Sequence, residues 1–304
     1  MKALILVLAL MVTLQYQIAT ATPPTSAVLY VRADGLDGPG CGTGITNPCK
    51  SVATAVFHAN DYATTTIKVA QGDYSEWINI DYQLPASGTG TLAIEGGWNS
   101  DFTTQSPDPT KTRITSSNIN NPLINITPGI WEKIDLRLVY LTLHGTTDDH
   151  RKGVAANALS QSTINLDIEH CRIVSFRGQG LSLYADSVSG TTSKMTATVN
   201  DTTIQGNFQY PSSNPWPGAG ISVTSYGGAQ IDINLTKNTI NANHASAGGG
   251  IYFYTQAKLN ATLVNNILAE NFAGGDGGAL STGAAVAGEM NLTLANNTIS
   301  KNHS

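Results

Sequence analysis

The sequence predicts an all-β solenoid, a right-handed parallel β-helix with an N-terminal cap containing one short helix, and three observations predict it. The first is periodicity. Segments of one alternating pattern end on Leu143, Ile173, Ile204, Ile240, Leu268 and Ile299, with spacings of 30, 31, 36, 28 and 31 residues. The second is column chemistry. Five residues before that reference column stand Leu138, Ile168, Val199, Leu235, Leu263 and Leu294, and two before it stand Leu141, Cys171, Thr202, Asn238, Asn266 and Asn297. The third is composition: 304 residues with 30 Gly and 25 Asn, but only 12 % charged and 7 % aromatic residues. A helical protein would be dominated by Glu, Lys, Arg and Leu, and a disordered one would lack the 41 % of apolar residues found here.

A period near 30 residues with period-2 alternation gives several short strands per repeat and no helix. Leucine-rich repeats are shorter, ankyrin and tetratricopeptide repeats are helical, and propeller blades are longer and carry Trp-Asp. One coil per repeat leaves equivalent residues stacked at about 4.8 Å. Inward Leu, Ile and Val then form continuous rows, and Asn238, Asn266 and Asn297 form an amide ladder at a bend. Asn tolerates the left-handed backbone that such corners need. After each bend comes a column of Thr146, Phe176, Asn207, Asn243, Asn271 and Asn302, then glycine and a new alternation such as Gly250-Ile251-Tyr252-Phe253.

In chain order, residues 1–21 read as a signal peptide: Met1-Lys2, the apolar run Ala3–Leu14 and the small-x-small site Ala19-Thr20-Ala21. No later run approaches the ~20 apolar residues of a membrane span. Residues 22–112 form the cap and first coils. Cys41 and Cys49 enclose a segment rich in turn formers, and export permits the disulfide expected between them. Ser51–Asn60 is a short amphipathic helix capped by Ser51, with Val52, Ala55, Val56 and Ala59 on one face, and it serves as the lid a solenoid end requires. Trp77, Trp98 and Trp131 are expected to pack in or near this cap. Residues 113–304 carry the repeats. Their final unit stops before any cap, so its end is expected to continue into further coils, or to associate with another copy or a partner. Cys171 reads as a buried structural thiol. The Asn-x-Thr matches at Asn200, Asn234, Asn260 and Asn291 follow from Asn at bends and Thr in strands.

Tyr30-Val31…Asp37-Gly38…Cys41-Gly42-Thr43…Asn47-Pro48-Cys49-Lys50-Ser51, with Ile67–Glu76 and Glu95-Gly96-Gly97-Trp98-Asn99, resembles the opening of exported bacterial β-helix proteins of the pectate-lyase-like superfamily. The Asn-x-x-Ile/Leu-x-x-Asn and Gly-Gly units resemble repeats of polymorphic outer-membrane proteins. The resemblance implies the fold and a secreted or cell-surface location. It implies no activity, because that superfamily holds lyases, hydrolases, adhesins and stalks.

The net charge of −5 argues against nucleic acid and anionic membranes as partners. Enzymes on such a fold need carboxylates in one column on neighbouring coils, yet Tyr140, His170, Asp201, Lys237, Asn265 and Asn296 contain no pair. No catalytic residue, metal or cofactor is therefore assigned. The expectation is a secreted or cell-surface scaffold of adhesin type, whose partner is a carbohydrate or another cell-surface component. The alternative is a polysaccharide lyase or glycoside hydrolase with its site on the coil face. Two ligand sites are candidates. One is a notch between two insertions leaving the same corner, with Asp148, Asp149, His150 and Arg151 on one wall, Arg177 on the floor and Trp216 opposite. The other is an aromatic platform of Tyr184, Tyr252 and Tyr254, outward neighbours of inward Leu183, Ile251 and Phe253.

Overall fold

The computed structural model describes residues 26–81, 89–116, 120–130, 132–146, 152–188, 190–208 and 217–304. The expected signal peptide, Trp131 and most of the notch residues (Asp148, Asp149, His150, Arg151, Trp216) lie outside them. Three long parallel sheets of nine, eight and seven strands, here A, B and C, wrap a single core. One turn runs through Lys133–Val139 in sheet A, Thr142–His144 in B and Val154–Leu159 in C. The chain then returns to A at Thr163–Glu169, with Leu138 beside Ile168. This is a parallel β-helix.

The apolar columns stack in register. Ile168, Val199, Leu235, Leu263 and Leu294 are successive partners in sheet A. Leu143, Ile173, Ile204, Ile240, Leu268 and Ile299 are successive partners in sheet B. Parallel pairing begins well before residue 113: Ala27–Val31 pairs with Thr64–Ala70, and Gly72–Glu76 with Thr112–Ser116. In the final coil, Leu292, Leu294 and Ile299 are exposed.

Amide ladders close the bends. The Asn238 Oδ1 accepts from Thr202 N at 3.0 Å, while its Nδ2 donates to Val199 O at 2.8 Å and Asn266 Oδ1 at 3.0 Å. Asn266 continues to Asn297 in the same way. The column after the bend is a second ladder, from Asn207 through Asn243 and Asn271 to Asn302. The side-chain amides of Asn238, Asn243, Asn266 and Asn271 are thereby satisfied on both their oxygen and their nitrogen. The left-handed turn falls elsewhere than expected. It is made by the residue before each ladder position: His170, Asp201, Lys237, Asn265 and Asn296 have φ of 51°, 47°, 57°, 58° and 53°. The ladder side chain must point into the stack, so its neighbour absorbs the turn. Behind the second ladder, glycine is required by contact: a Cβ on Gly250 would lie 2.5 Å from the Ala279 carbonyl oxygen.

Helix α1, Val52–Ala59, closes the N-terminal end with Val52, Ala55, Val56 and Ala59 buried. Ser51 Oγ accepts from Thr54 N at 3.1 Å, as a capping side chain should. Glu76, from sheet B, adds what the sequence does not display. Its two oxygens accept from Val52 N at 3.1 Å and Ala53 N at 2.7 Å, satisfying the first free N–H groups of the helix. Burial raises the Glu76 carboxyl to about 7. The Cys41–Cys49 disulfide is present, with Cα atoms 4.9 Å apart. Lys68 sits over the ring of Trp98 at 3.7 Å, and Trp77 is half-buried.

Candidate functional site: a tyrosine-lined groove on sheet C

Four neighbouring strands of sheet C, Val154–Leu159, Leu181–Ser187, Ile221–Gly227 and Ile251–Thr255, carry a groove of about 540 Å3. Strict alternation makes it. Leu181, Leu183, Ile221, Val223, Ile251 and Phe253 point into the core, so their neighbours face outward. Along one outward row, Ser182, Ser222 and Tyr252 are partners; along the next, Tyr184, Thr224 and Tyr254. Small Ser182, Ser222 and Thr224 leave a hollow, and the surrounding large side chains wall it. Both serines are only 6 % exposed although they face outward.

The tyrosines form a continuous chain. Tyr184 and Tyr226 have ring centroids 5.7 Å apart, Tyr226 and Tyr254 5.8 Å, and Tyr252 and Tyr254 6.5 Å with planes within 6°. The platform of Tyr184, Tyr252 and Tyr254 thus lines one groove, and Tyr226 joins them. Tyr226 is missed by reading along columns because Asp186 is its partner on the preceding coil. Its signal is its place on the outward alternation two residues past Thr224. The Tyr184 hydroxyl donates to Asp186 Oδ2 at 3.1 Å. Burial, together with the Asp186 charge, pushes Tyr184 up to about 12, and burial also raises Tyr226 and Tyr252. These phenols therefore remain O–H donors at neutral pH.

The far wall holds a cation. Lys152 Nζ donates to Ser182 Oγ at 3.0 Å and makes no ion pair among the described residues. Burial lowers its pKa from the ordinary lysine value. Gln179 closes the corner, donating from Nε2 to Pro217 O at 3.3 Å. Arg177 of the expected notch is half-buried at this same corner.

Sheet A carries the carboxylates that the single corner column lacks. Glu95 and Glu169 share a column with Val139 between them, and Arg137 bridges them at 3.5 and 2.8 Å. Asp167 is the partner of Arg137 on the next strand, and Asp135 stands two residues before Arg137 on its own strand. Asp167 is raised, mainly by burial, and Arg137 is raised by its hydrogen bond to Glu169. No two of these carboxylates are partners in one column on neighbouring coils; they gather across columns instead. The cluster lies one to five residues before the corner column and spans three columns.

One grouping of three metal-ligand side chains occurs among the described residues, Cys41, Cys49 and His58. Its two sulfurs are bonded to each other, and His58 Nε2 lies 3.1 Å from Gly38 O. Cys171 is buried, and burial pushes its thiol up to about 12, which leaves no thiolate for nucleophilic chemistry.

No protein-family model and no curated protein sequence matches the chain. Among solved structures, it is similar to the pectin methylesterase from Aspergillus niger in its deglycosylated form, at 15 % identity and a TM-score of 0.44. A penultimately deglycosylated form of that enzyme gives 14 % identity and a TM-score of 0.43. Each comparison covers 91 % of this chain and 88 % of the other.

Proposed function

We propose that the chain is an exported or cell-surface β-helix that binds carbohydrate in the sheet C groove and acts as an adhesive scaffold. The carrying observation is the run of four tyrosines across three coils beside a hollow floored by hydroxyls. Aromatic faces pack against the apolar faces of sugar rings, while phenol, hydroxyl and amide groups pair with sugar hydroxyls. The disulfide supports an oxidising location. A glycan array followed by calorimetry on the best ligand tests the reading. The double variant Tyr252→Ala, Tyr254→Ala should lose about tenfold or more in affinity, equivalent to roughly 1.4 kcal/mol. Unchanged affinity would remove the groove from consideration.

The sheet A cluster supports a second reading, a polysaccharide-active enzyme. Asp135 and Asp167 on adjacent strands are the acid–base candidates. A screen for reducing ends or unsaturated uronate products, repeated with Asp135→Asn and Asp167→Asn, separates the two readings.

A further inference from the structure

Lys152, on the wall of the groove, meets Ser182 on its floor. The lysine stands on a backbone fixed at both sides: Leu123 N donates to Lys152 O at 3.0 Å, and Gly153 N to Gln179 O at 2.9 Å. Among the described residues its ammonium has Ser182 Oγ as its one partner, at 3.0 Å, and no carboxylate pairs with it. The Ser182 hydroxyl hydrogen has no acceptor among the described residues, so it can be given to a neutral amine. A nucleophile on the strand Leu181–Ser187 and a base two residues before the strand Val154–Leu159, within hydrogen-bond reach and lining one groove, are the parts of an acyl-transfer site.

We propose that Ser182 and Lys152 form a nucleophile–base dyad that hydrolyses O-acyl esters, the acyl groups being carried by a saccharide lying on the tyrosines. The Ser182 Oγ proton passes to Lys152 Nζ as Oγ bonds to the ester carbonyl carbon. The adduct collapses by cleavage of the bond to the sugar oxygen, which takes the proton back from Lys152. Water then adds to the acyl-serine, giving its proton through Lys152 to the departing Ser182 Oγ, and a carboxylic acid leaves. The second N–H of the Gln179 amide and the Tyr252 hydroxyl, on the same groove, are donors available to the oxyanion. Burial supplies the neutral amine at a pH where an exposed lysine is charged.

The saccharide part of this proposal rests on the carbohydrate reading of the groove, whereas the dyad is testable without any sugar. The unmodified full chain is treated with a fluorophosphonate probe and mapped by mass spectrometry, and hydrolysis of p-nitrophenyl acetate is followed against pH. The label should fall on Ser182. Ser182→Ala and Lys152→Met should each lower the rate by about 10²–10⁴-fold. Lys152→Arg should not restore it, since a guanidinium keeps its proton. The wild-type rate should rise through an inflection below the ordinary lysine range. No label on Ser182, Ser182→Ala at the wild-type rate, or an active Lys152→Arg would each overturn the dyad. The labelling result needs no variant and stands even if a substitution prevents folding. A reactive dyad in a chain that binds no glycan would overturn the saccharide assignment alone.

Discussion

The first coils and the last coils solve the same problem of closing a bend by different means. From residue 230 onward, each coil carries an inward amide at each of two corners, bonded to neighbouring coils. Before residue 116, those columns do not exist, and individual devices replace them. The disulfide pins the Cys-bounded loop, Asp37 Oδ1 accepts from Lys50 N and Ser51 N, and Glu76 caps α1. The difference shows what repetition is for. A ladder rung bonds a like amide on a neighbouring coil, and the first coils carry no such amide at these corners. Groups that need no repeat close the bends there.

The sharpest way to break the comparison is Asn243→Ala, inside the second ladder. Its amide accepts from Asn207 N and Nδ2 at 3.0 and 2.9 Å and donates to Ile204 O and Asn271 Oδ1, both at 3.0 Å. Chemical denaturation should show a loss of about 3–5 kcal/mol, because several buried groups are left unpaired. Asn302→Ala, on the last rung, should cost about 1–2 kcal/mol. Equal losses would mean that the ladder acts locally and not through its neighbours. The same contrast applies to packing. Leu263 is 1 % exposed and Leu294, its partner on the next coil, 48 %. Truncation to Ala should cost about 2–4 kcal/mol at the first and near 1 at the second.

In the first coils, Cys41→Ser with Cys49→Ser should cost about 2.5 kcal/mol, the loop-closure value for a separation of eight residues. The effect of pH is of similar size. Glu76 is raised from 4.5 to about 7, so folding favours its protonated form. The resulting stabilisation is fully present below about pH 4.5 and is lost as pH rises through about 7, on the order of 3 kcal/mol. Comparison of wild type with Glu76→Gln across that window isolates the contribution. A difference that does not change with pH would show that the two helix N–H bonds, not burial, dominate at this carboxylate. Smallest of all, Thr262→Ala on the outward face of sheet A should stay within about 0.5 kcal/mol.

Stacking made much of this molecule legible without coordinates. Positions one coil apart meet by translation, so the apolar columns, the ladder asparagines and the common outward row of Tyr184 and Tyr254 could be read by aligning repeats. The lid helix and the disulfide were legible for a different reason: each is local, set by a cap residue and an apolar face or by a short turn-rich loop. What crosses columns was not legible. Glu76 reaches α1 from 24 residues away, and Arg137 meets Glu95 and Glu169 from a neighbouring row. Tyr226 touches Tyr184 on the diagonal, and Lys152 reaches Ser182 across the strand register. The sequence by itself determined the coil, its core and its ladders, because a repeat specifies which residues share a column. Only the tertiary structure decided the groove and the charged cluster, because side-chain direction and strand register determine which columns face each other.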